Sequence, residues 1–198
     1  MNLTCNISNC TNKLNSSYIK RILGMLGPVI LGSKPSEIIN ISGKDIQRHE
    51  KLGEIHKLFD SCSKLTYYVI ETLDGGFRIL FINEKSLSIV LRNKKCINFL
   101  KFLGYPSQSS LSLYVEVLVN KLQSEDFPDE IGIFLGYPIK DVIGFMGFGK
   151  YDFYKTMAWR IYGDPSVSYE VYNSFIRDKD IMKKMVESNS IEDLKQVI

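Results

Sequence analysis

Asp126, Asp129 and Glu130 cluster around Pro128, at the head of the stretch FPDEIGIFLGYPIKDVIGFMGFG that fills residues 127–149. A carboxylate in a pocket can act as a general acid or base, or anchor a polar ligand. Glu130 is the acid assigned to that role, because Tyr137, Trp159, Arg160 and Tyr162 offer polar tips on otherwise apolar bodies. These five are the candidate ligand-binding residues. The acids also have a structural reading. Pro at a first helical position, with Asp and Glu in the first turn, suits the positive end of a helix dipole. No catalytic signature is complete, so no residue is assigned as catalytic.

Other patterns fall short of chemistry. Gly144 to Lys150 matches G-x-x-x-x-G-K, but Tyr151 follows where a phosphate loop needs Ser or Thr, and the preceding residues read as helix. A glycine-rich connection is the better reading. His49 and His56 are the only histidines. Two helical turns, about 10 Å, separate them, too far to share one metal ion without a third ligand between. They read as surface or boundary residues. Cys5 and Cys10 could clip a metal, but no nearby His or Cys pair completes a set. Cys62 and Cys96 stand alone, with no C-x-x-C pair anywhere in the chain. No metal site is assigned, and no cofactor is indicated.

The composition narrows the class. The chain has 198 residues, 44% hydrophobic and 24% charged, which suits a globular domain with a proper core. Its 25 basic and 22 acidic residues leave a net charge of +3 and no long basic run, so a nucleic-acid partner is not expected. No apolar run approaches the ~18 residues of a membrane span, and no membrane partner is expected. The N-terminal segment lacks the basic and apolar regions of a secretory signal, so the expected compartment is the cytoplasm.

Elements must hold the candidate residues in place. Residues 1–15 are polar, lack periodicity and read as a flexible arm; residues 16–198 read as one domain. Tyr18, Ile19, Ile22, Leu23, Leu26 and Ile30 recur at helical spacing, with Pro28 expected to kink or end that helix. A short apolar piece, residues 38–41, precedes a second helix expected at residues 44–61 with Ile46 inward. Residues 65–73 and 77–82 are rich in β-branched and aromatic side chains around the turn Asp74-Gly75-Gly76, which predicts a hairpin. Helices follow at about 84–91, 94–103 and 110–123. FLGYP occurs at residues 102–106 and again at 134–138, each copy ending an apolar helical run. A short helix at 139–145, a third strand at 157–162 and a long helix from Pro165 to about Val186 complete the chain. Phe127, Ile131, Phe134, Leu135, Val142 and Phe145 are expected in the core.

The stretch from Phe127 onward resembles a bacterial family known only as a domain of unknown function, family 3793. Its members carry Phe-Pro-His-Glu-Ile-Gly, then Leu-Gly-Tyr-Pro, an acidic Asp-Val pair and Gly-Phe. The resemblance continues at LGPVILGSKPSEI (residues 26–38), similar to the family's Ala-Pro-x-Leu-x-Gly-x-Lys-Pro, and at WRIYGD (159–164), similar to its Trp-Lys-Val-Tyr-Gly-Asp. It covers about residues 18–180. Asp129 stands where the family usually has His, and Lys155 and Thr156 stand where cysteines often precede the Trp, with no later cysteine. The resemblance therefore implies a fold neighbourhood and carries no activity with it.

The expected architecture is α+β: a small antiparallel sheet, made of the hairpin joined by the strand at 157–162, covered by several helices. The expected function is that of a cytoplasmic, non-enzymatic binding or accessory protein for a small molecule or a protein partner. The alternatives are an enzyme with a pocket acid at Glu130 and a metal- or haem-handling protein.

Overall fold

The structure is a computed structural model that describes residues 17–107, 110–124 and 127–189. The expected arm at 1–15, with Cys5, Cys10 and Asp126, lies outside the described residues. Among the described residues thirteen elements run in the order α1 (Ser17–Leu31), β1 (Ser36–Ile41), α2 (Arg48–Phe59), β2 (Thr66–Glu71), β3 (Phe77–Ile82), α3 (Glu84–Arg92), α4 (Lys94–Phe102), α5 (Leu111–Leu122), α6 (Ile131–Phe134), α7 (Ile139–Phe145), β4 (Phe153–Thr156), β5 (Arg160–Tyr162) and α8 (Ser166–Ser188). The class is α+β, as the sequence predicts.

The sheet that organises the core is antiparallel, in the order β1-β3-β2. β3, FRILFI, is its central strand, and its unbroken apolar run has a simple cause. Successive side chains point to opposite faces, and both faces are covered. Phe77, Ile79 and Phe81 pack with Ile39, Ile41, α1 and α2 on one side, while Leu80 and Ile82 pack with α3 to α7 on the other. α8 runs its C-terminal half along α1, where Gly27 lets the helices approach: a Cβ there would stand 2.6 Å from Met182 Cβ.

Three expectations are corrected. The strand at 157–162 does not join the hairpin. β1 is the sheet's third strand, with Ser36 opposite Ile82 and Ile41 opposite Phe77, and β4 and β5 form a separate two-stranded ribbon. Pro28 does not stop α1, which continues to Leu31; burial of Leu26, Val29 and Ile30 outweighs the ~3 kcal/mol that an interior Pro costs. The second helix begins only at Arg48. Before it the chain turns, with the Asp45 carboxylate accepting from Gln47 N at 3.0 Å, and Ile46 is 94% exposed instead of inward.

Candidate functional site

The short helices α6 and α7 meet at Leu135–Pro138, and the ribbon β4–β5 lies against them. Between them opens a cavity of about 370 Å³, lined by Phe127, Pro128, Asp129, Ile131, Gly132, Leu135, Tyr137, Asp141, Val142, Phe145, Thr156, Trp159 and Arg160. That volume falls in the range of small-molecule pockets. Its floor is aromatic: Tyr137 and Trp159 stack with centroids 4.5 Å apart and planes 17° from parallel. A larger hollow of about 710 Å³ lies between the end of α1 and the start of α3. Asn83 and Ser86 there bond Val29 O and Gly32 O, so these polar side chains close the fold.

The register of the ribbon aims part of the wall. Cross-strand partners share a face, and Phe153 pairs with Tyr162 while Thr156 pairs with Arg160. A β-bulge between Phe153 and Lys155 makes this possible, since residues three apart on a regular strand face opposite ways. Phe153, Thr156, Arg160 and Tyr162 therefore lie on one face. Ile161 turns the other way and is fully buried, in a cluster with Trp159 and Phe175.

Asp141 holds this assembly together. It sits in the first turn of α7, 1% exposed. Its Oδ1 accepts from Lys140 Nζ (2.6 Å) and Tyr162 N (2.9 Å). Its Oδ2 accepts from Trp159 Nε1 (2.8 Å) and Ser168 Oγ (2.6 Å). Lys140 also donates to Tyr162 O at 2.7 Å and Ser168 Oγ at 2.8 Å. Every carboxylate lone pair and every ammonium proton has a partner, which is the condition under which a buried ion pair is tolerated. The pair ties α7, β5 and α8 into one unit. It leaves no acid or base at the cavity floor free to act on a ligand.

The five sequence candidates divide. Tyr137, Trp159 and Arg160 line the cavity together. Tyr162 stands beside it, its ring against Gly144 and its backbone bonded to Asp141 and Lys140. Glu130 is not among the lining residues. It is buried on another side, where its Oε1 accepts from Lys121 Nζ at 2.5 Å and Tyr105 Oη at 3.1 Å. α6 starts at Ile131, so Asp129 and Glu130 precede the helix instead of forming its first turn. Of the expected core, Ile131, Phe134 and Val142 are buried, and Leu135 is half-buried on the cavity wall. Phe127 and Phe145 are corrected to rim residues, each 44% exposed. Each ring meets a guanidinium there instead of core side chains alone: Arg78 stands 4.9 Å from the Phe127 ring and Arg160 5.5 Å from the Phe145 ring. Asp141, Lys140 and Ser168 were missed by sequence reasoning; the one signal was the Asp-Val pair inside the hallmark stretch.

The glycine-rich stretch at 144–150 starts in the last residues of α7 and so follows helix, not a strand. His56 Nδ1 lies 2.6 Å from Tyr67 Oη, and His49 packs edge-on against Phe77. Among the described residues no group of three His, Cys, Asp or Glu side chains is close enough to hold a metal ion. Nor is any of their helices long and apolar enough to cross a membrane.

The three hallmark segments of the sequence meet here. Ser36 Oγ donates to Phe134 O at 2.6 Å. Pro35 packs where Gly136 has no side chain: a Cβ there would lie 2.5 Å from Pro35 Cδ. Lys34, paired with Glu37 at 2.7 Å, stands over the rings of Tyr137 and Phe175. Residues 32–36, 127–149 and 159–164 thus build one structural unit, with the cavity on its outer side. The chain belongs to the bacterial family described as protein of unknown function (DUF3793), whose model matches residues 22–195. No curated protein and no solved structure matches it.

Proposed function

We propose that this protein is a non-enzymatic binding protein of the cytoplasm, and that the cavity between α6–α7 and β4–β5 holds the apolar part of a small organic ligand. One observation carries the reading. The cavity is apolar and aromatic, while the acid at its floor, Asp141, already accepts four hydrogen bonds. Such a site can bind and orient a molecule, and the carboxylate that is left, Asp129, stands in an exposed turn at the rim and not at the floor. Glu130, the acid on which an enzymatic reading rested, is directed to Lys121 and Tyr105. The cytoplasmic assignment fits the buried thiol of Cys96.

Trp159 is the only tryptophan of the chain and lies on the cavity wall, so its emission reads occupancy directly. Titration with a panel of small aromatic and aliphatic compounds should give a saturable change for some members. Placing a bulky ring at the exposed mouth, Thr156→Phe, should weaken that response without loss of folding. A panel that leaves Trp159 emission unchanged throughout would sink the reading.

A further inference from the structure

Arg160 gives the cavity a directional polarity. Its guanidinium lies 5.5 Å from the centroid of the Phe145 ring, and its strand position is fixed by pairing with Thr156 across the ribbon. Both partners line the same cavity. A guanidinium has five donors and stays charged at any working pH. Among the described residues the Arg160 side chain has no ion pair and no hydrogen bond: the ring contact orients it, and no acid neutralises it. Lys140, a base behind the cavity floor, is held by Asp141, Tyr162 and Ser168. The rim acid Asp129 precedes α6 in an exposed turn, with no contact among the described residues comparable to the Phe145 ring to hold it.

Resting on the binding role proposed above, we infer that the ligand is an organic anion: an apolar or aromatic body seated on the Trp159 side, with a carboxylate or similar oxyanion paired to Arg160 at the mouth. The planar fork of Arg matches the two oxygens of a carboxylate, and its preorientation on Phe145 lowers the ordering cost of the pair. The aromatic faces supply body affinity, while Arg160 supplies the choice of head group. Asp129 limits the size of that preference.

The test uses three probes with one body and different heads: phenylbutyrate, phenylbutyramide and phenylbutylamine. Each is titrated into the full chain while Trp159 emission is excited at the red edge of tryptophan absorption, where a single phenyl ring is transparent. The anion should bind about tenfold more tightly than the amide, as expected for a charge-assisted pair. Arg160→Gln should erase that difference and leave amide binding unchanged, Arg160→Lys should restore part of it, and Asp129→Asn should enlarge it. Arg160 is exposed, so these variants fold, and their melting temperatures verify it. Equal binding of all three heads, or an anion preference that survives Arg160→Gln, overturns the inference and leaves the cavity's binding role standing. Preference for the amine that disappears in Asp129→Asn overturns it in favour of a cationic ligand. No response to any probe removes the binding role itself, and the anion inference with it.

Discussion

At the scale of single residues, two buried acids with lysine partners invite comparison, and their surroundings set them apart. Asp141 pairs with Lys140, whose side chain is only 19% exposed, while Glu130 pairs with Lys121, whose side chain is 37% exposed. Asp141→Asn would strand the Lys140 charge in the interior and replace an acceptor of four bonds with an amide. We expect a loss of roughly 3–5 kcal/mol, read as a lower urea midpoint at constant slope. Glu130→Gln still accepts from Tyr105, and Lys121 can turn to solvent, so the loss should be about 1–3 kcal/mol. That variant should leave the Trp159 response to ligands intact; a lost response would return Glu130 to the site. The sequence pointed to Glu130 because it lies in the hallmark stretch, with Tyr137, Trp159, Arg160 and Tyr162 as candidate polar company. What it could not supply was the direction of the side chain, which depends on where α6 begins. Asp141 was hidden for a related reason: its partners Trp159 and Ser168 lie 18 and 27 positions away, and only the folded chain brings them together.

At the scale of elements, the two FLGYP copies show what local pattern does and does not encode. Both glycines end their helices in the left-handed region, Gly104 at φ 88° and Gly136 at φ 79°, as the Gly-x-Pro stop predicts. Their surroundings differ. A Cβ on Gly104 meets nothing within 4 Å, whereas one on Gly136 collides with Pro35 at 2.5 Å. Gly104→Ala should therefore cost only the left-handed penalty of about 1–2 kcal/mol, and Gly136→Ala should cost clearly more. Equal losses in matched denaturant curves would show that the Pro35 contact is soft. Phe134, at the head of the second copy, is fully buried, and Phe134→Ala should cost on the order of 3–5 kcal/mol. Periodicity made the hairpin and the helices legible because each is a local pattern. The partner of the hairpin was not legible. SEIINI and MAWRIY are both short strand-like runs, and the pairing of β1 with β3 is settled by packing beneath α1.

At the scale of the whole molecule, α8 links the sheet core to the cavity, its C-terminal half on α1 and its N-terminal half on α7 through Ser168 and on the ribbon through Phe175. Aromatic side chains recur along these contacts, and their titration offers a global test. Burial pushes Tyr137 up to about 12, with the nearby Glu37 adding to the effect. Burial likewise raises Tyr18 to about 12, against the opposing pull of Arg21. Tyr105 is raised by burial and then by Glu130, and Tyr67 by burial and then by Asp60. A tyrosine in the unfolded chain ionises near 10. Between about pH 10 and 12 the unfolded chain thus releases protons that folded Tyr137 and Tyr18 retain, so stability falls with rising pH in that window. The contribution is complete below about pH 10 and lost progressively above it, on the order of 1–2 kcal/mol for each tyrosine. Phenolate absorbance and circular dichroism followed together should show the exposed members of the 11 tyrosines ionising first with the fold intact, and the buried ones only as the dichroism collapses. If all titrate near pH 10 without loss of structure, Tyr137 is open to water, and the cavity floor it forms with Trp159 is not the dry aromatic surface on which ligand binding depends.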